Sequence, residues 1–258
     1  MRNESRIRFP GGVAAVVAAW LMLLPTALRP SIDLSTSASG WLVRWTGTAD
    51  LVGVVLIGCA LVALVVTRRP LGWRRSVREA CVHVVVLTLV LGGGALLNEY
   101  LLKEALAVPR PSVVALAEAD ALGMTAEAFY ASMDKASRRI HLRELLSDSG
   151  FDAIPLSMPV RAHWADEAGY AFPSGHALAA MTIATYFLVS GAVLVSSSRR
   201  LVLFLLPLWA ASIGWSRVLL GVHRSQDVVW GGLLGAALGV AAAVAAWWLL
   251  PRFPLFRR

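Results

Sequence analysis

The chain has 258 residues, 57 % of them apolar and only 16 % charged, with a mean hydropathy of +0.66. That balance excludes an ordinary soluble domain of this size and points to a chain that lives in a bilayer. The net charge of +8 does not indicate a nucleic-acid partner, because the basic residues sit at the ends of apolar runs and form no stripe or tail.

Apolar stretches of about 20 residues, the length that crosses a hydrocarbon core, run at 11–28, 50–67, 80–102, 174–196, 201–220 and 227–250. They predict an all-α integral membrane protein with six transmembrane helices. The first run could also be read as a signal peptide behind Arg2, Arg6 and Arg8, but it is long for that role and no clean small-residue cleavage site follows. One set of run ends carries Arg68, Arg69, Arg74, Arg75 and Arg78, then Arg199 and Arg200, then Arg252, Arg257 and Arg258. Short basic loops stay in the cytoplasm, which puts both termini inside and nearly all acidic residues outside.

Cys59 and Cys81, both within apolar runs, meet neither disulfide nor metal spacing and read as inert packing residues. The one sizeable aqueous segment, 112–170 between spans three and four, is too long to be structureless and is expected to be a helical insertion at the outer surface. Within it Thr125 can cap one helix that shows Phe129, Met133, Ala136 and Ile140 at helical spacing and stops at Gly150. An amphipathic cover over the bundle is preferred to direct substrate contact for that helix. Gly231, Gly235 and Gly239 recur every fourth residue and are assigned to helix packing, and Trp247 and Trp248 to the inner interface belt. The whole chain, 1–258, is expected to be one domain.

Three segments carry chemistry: Lys103 to Pro111 (KEALAVPRP), Pro173 to His176 (PSGH) and Ser216 to Asp227 (SRVLLGVHRSQD). The predicted topology brings all three to the outer face. His223 and Asp227 are four apart, so on a helix they share a face; the carboxylate then holds one ring nitrogen and leaves the other as a nucleophile toward phosphorus. Taken alone, the pair reads equally as a helix-start salt bridge. Pro173 can open a helix whose first amides, at Ser174, Gly175 and His176, favour an anion, with His176 beside it as acid and then base. Lys103, Arg110 and Arg217 supply cations for a pentacoordinate phosphorus; Pro109 and Pro111 imply that the helix carrying Lys103 ends before Arg110. No carboxylate or histidine cluster calls for a metal, and no cofactor is expected. His83, His141 and Glu99, the last paired with Lys103, read as structural.

These segments match in full the three-part pattern K-x6-RP, PSGH and SR-x5-H-x3-D, and the chain thereby resembles the type-2 phosphatidic-acid phosphatase superfamily. Arg161 to His176 (RAHWADEAGYAFPSGH), the Phe129-Tyr130 pair and the six-span plan are similar to its bacterial phosphatidylglycerophosphate phosphatase branch. The resemblance covers roughly residues 80–235. It implies a phosphohistidine at His223 oriented by Asp227, His176 as acid and base, and Lys103, Arg110, Ser174, Gly175 and Arg217 as phosphate ligands. It also implies metal-independent hydrolysis at the periplasmic face of a bacterial inner membrane. Implied substrates are lipid phosphates and pyrophosphates: phosphatidylglycerol phosphate, phosphatidic acid, diacylglycerol pyrophosphate and undecaprenyl pyrophosphate. Arg224 and Ser225 stand where relatives often carry an aromatic residue and a proline. The expected function is therefore a membrane lipid phosphate or pyrophosphate phosphatase. A lipid phosphotransferase using the same phosphohistidine is an alternative, and a non-catalytic lipid-binding or transport protein is another.

Overall fold

A computed structural model describes residues 31–67, 72–194 and 197–250. The expected first span, 11–28, and the arginines at both termini lie outside the described residues. The other five apolar runs are all helical: α2 (Leu51–Val66), α3 (Trp73–Leu97), α9 (Gly175–Leu194), α10 (Ser197–Leu219) and α11 (Ser225–Leu249). Ahead of α2 stands α1 (Ser37–Thr46), followed by a 3-10 turn at Gly47–Ala49. Past α3 a π-helical turn, Asn98–Leu102, leads into α4 (Lys103–Leu106). By length and hydropathy, two helices among the described residues can cross a membrane, Trp73–Leu106 and Ser225–Leu249. A third is added if α1 and α2, bent by 58° at Asp50, count as one span.

Helix α3 starts seven residues before the apolar run predicts, because Arg74, Arg75 and Arg78 are good helix formers that hydropathy leaves out. The bundle core gathers Val82 and Val86 of α3, Ile183, Tyr186 and Phe187 of α9, Ile213 of α10, and Ala242 and Ala246 of α11. Helices α9 and α11 approach backbone to backbone: a Cβ on Gly231, Gly235 or Gly239 would stand 2.4, 2.3 and 2.7 Å from the carbonyls of Ser174, Leu178 and Thr182. The packing assignment of these glycines holds. Around the bundle, Leu51, Leu56, Leu89, Leu96, Leu205 and Trp230 are exposed, an apolar surface suited to lipid and not to water. Cys59 and Cys81 also lie on this exposed surface, which corrects their reading as packing residues; an apolar run wrapped into a helix presents one side outward.

Residues 111–166 form helices α5 (Pro111–Glu118), α6 (Ala126–Ser132), α7 (Lys135–Ser147) and α8 (Met158–Asp166). Thr125 caps as predicted, its Oγ1 accepting the Ala128 amide at 3.2 Å. The single helix predicted from there to Gly150 is two. Met133 is extended, and Asp134, a stronger cap than anything the apolar periodicity takes into account, accepts the Ser137 amide at 2.7 Å and restarts the helix. The predicted apolar face fails in part with it: Ile140 is exposed, whereas Arg138 is buried over the rings of Tyr130 and Tyr170. This segment has its own core, in which Leu116, Phe129, Leu142, Val160 and Trp164 pack with Leu220 and Val222 from the loop after α10.

Candidate active site

The three predicted segments meet at one end of the bundle. Lys103, Arg110, Gly175, His176 and His223 line one cavity of 370 Å³. Each arrives there for a local reason. The chain after α4 turns through Ala107 at φ 46°, and Arg110 is the extended residue before α5, with Pro111 at the first helical position. That is the helix break the two prolines predict. The loop after α10 turns at Gly221, φ +69°, where a Cβ would also press on the Trp164 ring at 3.4 Å. Trp164 Nε1 donates to the Leu220 carbonyl at 2.7 Å, so the insertion holds the loop that presents His223.

His223 precedes α11 and does not lie on it, so the shared helical face predicted for His223 and Asp227 is corrected. Asp227, in the first turn of α11, accepts the Arg224 amide on Oδ2 at 2.8 Å, and this capping contact holds the same oxygen toward the histidine. Asp227 Oδ2 is 3.5 Å from His223 Nδ1. On the far side of the ring, Arg110 Nη1 is 3.1 Å from Nε2. Guanidinium has only hydrogens to give, so Nε2 is the acceptor and the ring proton sits on Nδ1, facing Asp227. Burial pushes the His223 imidazole well below its usual 6.5, and Arg110 and Arg217 push the same way. The ring is neutral at pH 7 with its lone pair toward the cavity.

Two glutamates organise the cations. Glu167 meets Arg110 Nη2 at 2.7 Å and is paired with Arg217 Nη2 as well. Burial alone would raise its carboxyl; the two guanidinium groups overcome this and hold it well below the usual carboxylate range. Glu99 meets Lys103 at 2.7 Å, as predicted, and also binds Lys135 of α7. Arg110 further donates from Nε to the Gly169 carbonyl at 2.8 Å, which fixes the plane of its guanidinium. Arg217 is fully buried, donating to His163 Nε2 at 3.0 Å and to Thr46 Oγ1 at 3.4 Å. Burial, followed by Arg217, lowers the His163 imidazole to about 4.

Three predicted site residues stand behind the cavity wall. Arg217 and Asp227 act on it through Glu167 and His223. Ser174 is buried, and its amide, predicted to face an anion, donates to the Asp227 carbonyl at 2.9 Å. The amides of Gly175 and His176 occupy the first positions of α9, where a helix has no internal acceptor for them. Arg224 donates to the Pro109 carbonyl at 3.3 Å, tying the first motif to the third; it does not line the cavity. Lys135 and Arg139 of α7 do line it, so the insertion helix reaches the site it was expected only to cover.

Asp50, His163 and Glu167 are cavity residues that the sequence reading does not single out. His163 and Glu167 carry the i, i+4 spacing that drew attention to His223 and Asp227, and that signal could have found them. Asp50 carries none, since an aspartate before an apolar run reads as a helix cap. Among the described residues no three His, Cys, Asp or Glu side chains converge as metal ligands.

Long apolar helices with a cavity of lysine, arginine, histidine and carboxylate groups at one end define a helical membrane protein with a site built for a charged group. Within that class the chain belongs to the PAP2 superfamily, whose family model matches residues 82–251. Phosphatidylglycerophosphatase B of Escherichia coli (strain K12) is 32 % identical over 181 residues, 68 % of this chain and 66 % of that protein. The protein of the same name from Bacillus subtilis (strain 168) is 37 % identical over 75 residues, 28 % of this chain and 37 % of that one. The chain thus spans just under two thirds of the length of the Escherichia coli relative.

Proposed function

We propose that the chain is a membrane phosphatase that hydrolyses the terminal phosphate of lipid phosphates and pyrophosphates through a phosphohistidine at His223. The observation that carries this reading is the state of that ring: neutral, backed by Asp227 at Nδ1, with Nε2 held by nothing but a donor at 3.1 Å. A phosphoryl group entering the cavity takes over the Arg110 hydrogen bond and releases the Nε2 lone pair for attack. Arg110 and Lys103 then face the equatorial oxygens, where negative charge accumulates in the transition state, with the Gly175 and His176 amides beside them. His176 protonates the departing oxygen and afterwards takes the proton of the water that cleaves the phosphorus–nitrogen bond. Asp227 stabilises the imidazolium character that develops on His223.

The relatives named phosphatidylglycerophosphatase B support a lipid substrate of that kind, and undecaprenyl pyrophosphate and phosphatidic acid fit the same site chemistry. Six spans with the cavity and the 112–170 insertion at the periplasmic face complete the proposal. Charge stabilisation comes from side chains, with no metal. The test is phosphate release by the purified full chain across a panel of lipid phosphates and pyrophosphates, in the presence of chelator. Release from at least one of them is expected. Inactivity toward all of them overturns the phosphatase reading, and activity that chelator removes and magnesium restores overturns its metal-free form.

A further inference from the structure

Asp50 stands at the 58° break between α1 and α2, in extended conformation one residue before α2 begins. An aspartate in that position ordinarily turns its carboxylate onto the open amides of the helix it precedes. Here it makes no such bond. Its Oδ1 lies 2.7 Å from His176 Nε2 instead, and both residues line the cavity that holds His223.

The corner that delivers this carboxylate is built and not incidental. Trp45 Nε1 donates to Ser212 Oγ at 2.9 Å, Trp209 Nε1 to Thr48 Oγ1 at 3.0 Å, and Arg217 to Thr46 Oγ1 at 3.4 Å, all tying the segment before Asp50 to α10. At Gly53 a Cβ would stand 2.3 Å from the Thr48 carbonyl, so the bend closes only without a side chain there. Asp50 lies outside residues 82–251, the part that matches the family model.

We propose that Asp50 is a positioning residue for acid–base chemistry at His176, so that the cavity holds two histidine–carboxylate dyads with separate tasks. The inference rests on the phosphohistidine reading above. A carboxylate accepts only, so His176 Nε2 carries a hydrogen and Nδ1 is the nitrogen that exchanges protons. In the first step His223 Nε2 bonds to phosphorus, the bond from phosphorus to the leaving oxygen breaks, and the imidazolium of His176 gives that oxygen its Nδ1 proton. In the second, water oxygen bonds to phosphorus, its proton passes to Nδ1, and the phosphorus–nitrogen bond breaks. Asp50 balances the imidazolium at both ends of the cycle. Arg217 and Glu167 also face His176 and His163 shares the cavity, but Arg217 and Glu167 are bonded to each other. Asp50 is the carboxylate in direct contact with the ring.

Asp50→Asn keeps the size and an acceptor oxygen and removes the charge. With a lipid phosphate, whose alkoxide must be protonated to leave, kcat should fall about tenfold or more while KM changes little. With p-nitrophenyl phosphate, whose leaving group departs unprotonated, the burst of nitrophenolate that reports phosphoenzyme formation should keep its rate within about twofold. Equal losses in both overturn the proposal as a general structural effect, and so does no loss in either. A second readout needs no turnover: carbethoxylation of His176, followed by mass spectrometry against pH, should show its midpoint lowered by about one unit in the variant. An unchanged midpoint overturns the dyad. Were the wild type to release phosphate from no substrate, the phosphatase reading would fail, and the carbethoxylation midpoint would still decide whether Asp50 governs His176.

Discussion

His223 is held between a carboxylate and a guanidinium, and the two act on it differently. Arg110 at 3.1 Å and the surrounding burial favour the neutral ring, and the Arg110 donor at Nε2 leaves the proton on Nδ1; Asp227 stands 3.5 Å from that nitrogen, placed to offset positive charge in the proposed mechanism. His223→Gln removes the nucleophile at a site outside the packed bundle core, so phosphatase activity should fall by more than about 10⁴-fold with the thermal midpoint in detergent unchanged. Asp227→Asn keeps the nucleophile and should cost less, about 10²- to 10⁴-fold. The acid limb of kcat/KM follows from the same ring. Its pKa lies below the usual 6.5, so as pH falls through 6.5 the imidazole is still neutral, and activity should be lost only at lower pH. An acid limb centred at 6.5 or above would contradict the environment described for His223. Lys103, Arg110, His176 and His223 were legible because each sits in a short motif with a known spacing. Asp50 was not, because its partner His176 lies more than a hundred residues away; Glu167 offered only its i, i+4 spacing from His163, while its bonds to Arg110 and Arg217, 50 or more residues away, come from the fold.

Helix existence followed from apolar run length, and five of the six runs lie in the described residues as helices. Helix ends did not follow so well, because they depend on single polar residues: Asp134 divides α6 from α7, and Arg74, Arg75 and Arg78 extend α3 beyond its apolar part. The four-residue glycine period was legible, but which helix it faced was not; the partner is α9, the helix that carries His176. That contact makes a prediction for the element pair. In Gly235→Leu the first side-chain atom alone meets the Leu178 carbonyl at 2.3 Å, so α9 and α11 must separate, at a cost of about 1–3 kcal/mol or more. Because His176 stands in the first turn of α9 and α11 follows His223, the same displacement should lower activity. Gly93 in α3 has nothing within 4 Å of a built Cβ, and Gly93→Ala should be neutral or stabilising by up to about 1 kcal/mol. Thermal midpoints of the two variants in detergent, measured beside phosphate release, check both. A Gly235→Leu variant as stable as the Gly93→Ala control would mean that the close α9–α11 approach does not carry the packing.

On the scale of the whole molecule, the site lies at one end of several long helices. Lys103 closes the 34-residue helix Trp73–Leu106, which at 1.5 Å per residue is about 51 Å long and exceeds a hydrocarbon core of about 30 Å. Arg74, Arg75 and Arg78 stand in its first two turns, so they and the cavity lie on opposite sides of any bilayer the helix crosses. Clustered arginines in short connections stay in the cytoplasm, so the proposed orientation turns the cavity and the 112–170 insertion outward, and labelling tests it. In a variant lacking Cys59 and Cys81, a cysteine at Ser149, exposed just beyond α7, should react with a membrane-impermeant thiol reagent in intact spheroplasts. A cysteine at Trp73, exposed at the start of α3 beside the arginines, should react only after lysis. The reverse pattern would place His223 in the cytoplasm and hand the enzyme inner-leaflet lipids. Labelling of both positions in intact cells would mean that Trp73–Leu106 does not span the bilayer, and the six-span plan would fall with it.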